Sequence, residues 1–181
     1  MERGFLVQAR STEVIRSIAH NALDSLNLKG RSVPILNILE NVLPLMDDEF
    51  SLLVLEPAEM FQRFKVYAEG MTVHRENCIY LRADVYAGAC SGNGRDRFTA
   101  AHELGHYLLH KNEGMSFPRR SDASTKVYCD SEWQANTFAR EFLADLRYFH
   151  SFDGPYSASQ HYGVSTKVAE IQWNSKKKMA P

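Results

Sequence analysis

Arg97-Phe98-Thr99-Ala100-Ala101-His102-Glu103-Leu104-Gly105-His106 carries the pattern H-E-x-x-H, and the rest of the chain is organised around it. On an α-helix, residues four apart lie one above the other on one face, so the imidazoles of His102 and His106 converge on a single point. Glu103 then projects beside that point. Zinc suits the arrangement, because it accepts imidazole nitrogen at about 2.0–2.1 Å and in catalytic sites keeps one of four positions for water. One protein ligand is still missing.

Geometry narrows the search for it. His110 continues the four-residue stripe but lies about 12 Å along the helix axis from His102, too far to share the same ion. The longer zincin pattern H-E-x-x-H-x-x-G-x-x-H needs Gly at 109 and His at 112, where this chain has Leu109 and Asn112. A carboxylate from a second helix remains, and the stretch Cys129-Asp130-Ser131-Glu132-Trp133-Gln134-Ala135-Asn136-Thr137-Phe138-Ala139 supplies Glu132, 26 residues after His106. Asn136, one turn further on, is placed either to hold a metal ligand or to make an ordinary buried polar contact. A further donor to the tetrahedral intermediate is expected, with Tyr128, Arg140, His150 and Tyr156 as the options, and spacing selects none of them. A His/carboxylate set also accepts Mn²⁺, Fe²⁺ or Co²⁺.

Around these two helices the pattern predicts an α+β chain. Val14, Ile15, Ile18, Ala22, Leu23 and Leu26 fall at helical spacing within about residues 8–28, with Lys29-Gly30 as the stop. A second helix follows Pro34, and Pro44 is expected to end it. Ser51 to Leu55 reads as a buried strand, and Phe61 to Ala68 as a further extended piece. Gly70 to His74 and Cys78 to Arg82, joined by Arg75-Glu76-Asn77, read as a β-hairpin whose second arm runs beside the metal helix. An edge strand there could pair with an extended peptide.

Asp96 is placed to cap or charge-complement the metal helix, which should run to about His110. Gly105 costs roughly 1 kcal/mol relative to Ala inside a helix, so it implies that another backbone or the substrate passes close by. Lys111 to Lys126, with Pro118-Arg119-Arg120, reads as an exposed loop, or alternatively as a lid. The second site helix should begin at Asp130 or Ser131, continue through Leu146, and bury Trp133, Phe138, Phe142 and Leu143. Residues 1–150 are read as the core, and 151–181 as a helix-turn-helix-like segment, centred on Tyr162-Gly163-Val164-Ser165, followed by a basic tail.

The 181 residues are 44% hydrophobic and 24% charged with a net charge of −1, values ordinary for a folded domain. That balance gives no general attraction to nucleic acid, and no basic residues line the last helix before Lys176-Lys177-Lys178, so direct DNA contact is not expected. No apolar run reaches the roughly 20 residues needed to span a bilayer, and the start of the chain lacks an apolar signal core, so the expectation is a cytoplasmic protein. Cys78, Cys90 and Cys129 form no C-x-x-C pair and point to reduced thiols.

Two blocks, R-F-T-x-A-H-E-L-G-H at 97–106 and E-x-x-A-N-x-F-A at 132–139, resemble the ImmA/IrrE family of zinc metallopeptidases. The hairpin and a V-S-x-x-x-A pattern near the C-terminus extend the similarity over roughly residues 5–173. The resemblance implies a gluzincin-like zincin fold: a small, mostly antiparallel sheet packed against the H-E-x-x-H helix and a Glu-bearing helix. It implies His102, His106 and Glu132 on zinc and Glu103 as catalytic base. Its implied substrate is a helix-turn-helix repressor, often encoded beside the protease in a mobile element or stress regulon. The alternative is a regulatory binder, or the toxin of a toxin-antitoxin pair, that docks a repressor or antitoxin without cutting it. One departure, Arg140-Glu141-Phe142-Leu143-Ala144-Asp145, stands where relatives are more apolar and end in proline, and it bears on the shape of the adjoining pocket.

Overall fold

The computed structural model describes residues 4–111, 113 and 126–179, with side chains to 176. The loop or lid reading of 111–126, with Pro118-Arg119-Arg120, falls almost wholly outside these residues, as do the side chains of Lys177 and Lys178. In chain order the elements are α1 (Thr12–Ser25), α2 (Ile35–Asn37), a π-helical turn (Ile38–Val42) and α3 (Leu43–Met46), then β1 (Ser51–Leu55), α4 (Pro57–Phe64), β2 (Gly70–Val73) and β3 (Cys78–Arg82). They continue with α5 (Ala83–Cys90), α6 (Gly94–His110), α7 (Ser131–Leu143), a 3₁₀ segment (Leu146–Ser151), α8 (Pro155–Tyr162) and α9 (Thr166–Met179).

The chain is α+β with a three-stranded mixed sheet of order β1-β3-β2. β1 pairs parallel with β3, from Ser51↔Cys78 to Leu55↔Arg82, and β2 pairs antiparallel with β3, from Gly70↔Leu81 to Val73↔Cys78. The mostly antiparallel sheet is therefore corrected to one parallel and one antiparallel pairing. The hairpin exists as read, but its second arm is the central strand and its first arm, β2, is the edge beside α6. β3 is buried on both faces, as a central strand between layers of helices must be. Ile79 and Leu81 enter the main core, whereas Cys78 and Tyr80 pack with Met60 of α4.

Other expectations are corrected by local physics. β1 is a half-exposed edge strand, with Leu53 44% and Val54 41% accessible, because β3 covers only one of its sides. Residues 57–64, partly assigned to an extended piece, form a helix: Pro57 sits in the first turn, Glu56 and Glu59 form a reciprocal capping box, and Lys65 closes the helix at φ 59°. Pro44 does not end its helix. The chain widens into the π-helical turn, where Leu43 N–H reaches back five residues to Ile38 O, and then continues to Met46. A wider turn gives room to a ring that lacks an N–H and crowds the preceding carbonyls.

α6 and α7 meet at Gly105. A Cβ there would lie 3.1 Å from Ala135 O and 3.1 Å from Phe138 Cδ1, so the missing side chain is what lets the α7 backbone approach. The polar departure at 140–145 does not line the cavity that holds His102 and His106. Glu141, fully buried, is forked by Arg16 of α1 at 3.0 and 3.2 Å and met by Gln172 of α9 at 3.3 Å, while Asp145 accepts from Gly30 N and Arg147. Tyr162, Val164, Val168 and Ala169 of the C-terminal helices lie in the same core cluster as Leu104 and Phe138. Lys176 is no solvated tail: its ammonium stacks over Trp173 at 4.8 Å and donates to Phe149 O. Cys78, Cys90 and Cys129 are all free thiols.

Candidate metal centre

Asn93 caps α6, its side chain accepting from Arg95 N and Asp96 N, while Asp96 supplies the negative charge in the first turn. Asp130 caps α7 through Trp133 N and so sets the rotation that turns Glu132 toward α6. His102 Nε2 and His106 Nε2 stand 2.9 Å apart. Glu132 Oε2 lies 3.3 Å from the first and Oε1 3.1 Å from the second. The three side chains form a group whose ligand atoms lie within 4.8 Å of one another, and it could hold a metal ion.

The donor set fits a divalent cation. Tetrahedral coordination with bonds of about 2.1 Å spaces ligand atoms about 3.4 Å apart, within about 0.5 Å of the spacings found here. His102 Nδ1 lies 3.1 Å from Asn136 Oδ1, and with an acceptor there the proton belongs on Nδ1, leaving the Nε2 lone pair for a cation. Two imidazole lone pairs and a carboxylate that face one point are mutually unfavourable unless something positive sits between them. A proton on either Nε2 meets the same need, because it can donate to Glu132. Burial raises the Glu132 carboxyl, but hydrogen bonds from His102 and His106 outweigh it and hold the group well below the usual carboxylate range. Burial lowers His102, and its bond to Glu132 with the charge of Glu103 reverses that to a net rise.

Glu103, 6% exposed, lies against the edge strand. Thr72 Oγ1 of β2 is 2.7 Å from Glu103 Oε2 and 2.9 Å from Glu103 O, and its one proton can serve either. Gly70 makes room for the same carboxylate: a Cβ there would stand 2.7 Å from Glu103 Cγ. His102, Glu103, His106 and Glu132 all line a cavity of about 720 Å³, walled by Phe5, Val66, Tyr67, Ala68 and Met71, with His74 at its margin. His74 is held below its ordinary value by burial and then by the charge of His106, and its Nδ1 has no hydrogen-bond partner.

None of the four options for an additional donor lines this cavity. The Tyr128 carbonyl accepts from Arg10 N and Gln134 Nε2, Arg140 pairs with Glu141 and Gln172, His150 Nδ1 faces Arg147 O, and Tyr156 is exposed on α8. The cavity instead presents Tyr67 and His74, which sit just before and just after the edge strand, and no spacing in the sequence ties them to α6. His110 is not part of the ligand group. Its Nδ1 lies 3.3 Å from His106 Nδ1, and burial, followed by the charge of His106, pushes its value down to about 4.

Fold and site together define a chain that can hold a cation between two helices, with a buried carboxylate beside the ion under an edge strand. Residues 60–174 match the Peptidase M78 family, described as the IrrE N-terminal-like domain. The chain belongs to that family, which supports a metallopeptidase-type function and is the resemblance read from the two sequence blocks. The match starts at α4, later than the expected start near residue 5. No curated protein matches the chain. No helix of the described residues is long and apolar enough to cross a membrane.

Proposed function

We propose that the chain is a zinc-dependent endopeptidase whose substrate is a helix-turn-helix repressor or antitoxin encoded nearby. The observation that carries the reading is the convergence of His102, His106 and Glu132 at tetrahedral spacing with Glu103 at their side. A bound zinc would polarise the scissile carbonyl and acidify water at the site. Glu103 takes the water proton and delivers it to the leaving nitrogen, and Thr72 holds the carboxylate in reach of both. Asn136 keeps the His102 ring in the ligating tautomer. β2 pairs with β3 on one side only among the described residues, so an extended peptide can add along its other edge, with apolar side chains against Tyr67 and Met71.

The test is incubation of the metal-loaded chain with the helix-turn-helix protein of the adjacent reading frame. Cleavage at a defined bond, absent in Glu103→Gln although that variant keeps its metal, is the expected result. Tight binding of the partner with no cleavage under any metal would favour a regulatory binder instead, and metal loss in Glu103→Gln would leave its role as a base unsupported.

A further inference from the structure

We infer that His110 and Gln134 are positioning residues that select the ligating tautomer of His106, and that the N-terminal arm holds Gln134 in the orientation this requires. The inference rests on the metal-centre reading above. It starts from Gln134, fully buried on α7. Its Nε2 donates to Gln8 O at 2.7 Å and to Tyr128 O at 2.8 Å, so both amide protons are committed to carbonyls and the orientation of the amide is decided. Oε1 therefore faces Arg10 Nη1 and His110 Nε2, each at 3.2 Å.

An acceptor opposite His110 Nε2 puts the proton on that nitrogen and leaves a lone pair on Nδ1. That lone pair faces His106 Nδ1 at 3.3 Å, which must then carry the donating hydrogen. The His106 lone pair is left on Nε2, 3.1 Å from Glu132 Oε1 and 2.9 Å from His102 Nε2. Each proton in the row is fixed by the one before it, and the row begins at backbone carbonyls. His110 is 1% exposed, a position where an apolar side chain would avoid burying two ring nitrogens. The arm that supplies Gln8 O and Arg10 is itself laced to the start of α7, by Val7 N to Cys129 O at 2.9 Å, Arg10 N to Tyr128 O at 3.1 Å and Ser131 N to Phe5 O at 3.0 Å. Arg10 also pairs with Glu113.

The test is zinc affinity of the full chain, by competition with a chromophoric chelator, for wild type, His110→Asn and His110→Phe, beside the metal-free melting temperature of each. Asn keeps an acceptor near the place of Nδ1 but fills the core poorly, whereas Phe keeps the ring and removes the acceptor. The expected zinc affinities are wild type, then Asn within about threefold, then Phe weaker by about 10–100-fold, while metal-free stability ranks Phe above Asn. Equal affinity of Phe and wild type, or affinities that follow the stability order, would overturn the inference. Should Phe fail to fold, ¹⁵N histidine spectra of the metal-free wild type decide: protonated Nδ1 on His106 and protonated Nε2 on His110 support it, and the opposite tautomers sink it. A wild type that binds no zinc would instead remove the metal-centre reading and this inference with it.

Discussion

Glu103 is held on two sides by the edge strand before any substrate arrives. Thr72 Oγ1 fixes its carboxylate at 2.7 Å, and the bare Cα of Gly70 leaves the space it occupies. Thr72→Val keeps the branched shape and removes the hydroxyl. We expect it to lower kcat for cleavage by about tenfold with metal content unchanged, and Thr72→Ser to recover most of the loss. A Thr72→Val chain that cleaves at the wild-type rate would show that the contact does not position the base. The convergence of His102, His106 and Glu132 was legible because helical spacing puts two imidazoles on one face and a cation between them would demand a third donor. Thr72 was not, since nothing in the spacing from a strand to a helix some 30 residues later states that they touch. Gln134 and His110 were hidden for the same reason.

At the scale of elements, the loop before β1, the hairpin turn and α6 are joined at one carboxylate. Asp47 accepts from Lys111, from Tyr107 OH at 2.6 Å and from Asn77 Nδ2 at 3.0 Å. The Lys111 contact first, and then the Tyr107 hydroxyl, hold its value down to about 2 against an ordinary 3.8. A carboxyl depressed in the folded state stabilises the fold above its unfolded value and loses that contribution as pH falls from about 4 to about 2. Asp47→Asn should therefore flatten that part of the acid limb in urea titrations, and an unchanged limb would show that the network contributes nothing. α6 and α7 were legible to within a few residues, because their caps are local: Asn93 and Asp130 bond to N–H groups two or three positions on. The mixed sheet was not. Which hairpin arm becomes central depends on β1 arriving parallel from 27 residues upstream, and no turn chemistry encodes that pairing.

Across the whole molecule, Arg97 explains why the H-E-x-x-H block begins with arginine. From the first turns of α6 it donates to Tyr162 O and Gly163 O at the α8–α9 turn, and to Val33 O and Ser32 Oγ ahead of α2. Gly163 sits at φ 61°, and a side chain there would collide with the guanidinium. Arg97→Ala leaves buried carbonyls without donors and should cost about 3 kcal/mol in chemical denaturation, with Arg97→Lys recovering only part. A loss below about 0.5 kcal/mol would contradict the clamp. Amphipathic spacing made α1 readable and the Gly163 turn marked the α8–α9 pair, but the buried polar ties at Arg97, Glu141 and Gln172 bridge segments 28–125 residues apart and lie beyond any window of sequence.

Whether α6 and α7 together hold one metal ion is decided by metal content on protein purified without added metal, for wild type and Glu132→Ala, with both reloaded with zinc before a second determination. About one divalent ion per wild-type chain and none retained by Glu132→Ala is the predicted result. A wild type that holds no metal after loading, or a Glu132→Ala chain that holds as much as wild type, would contradict it.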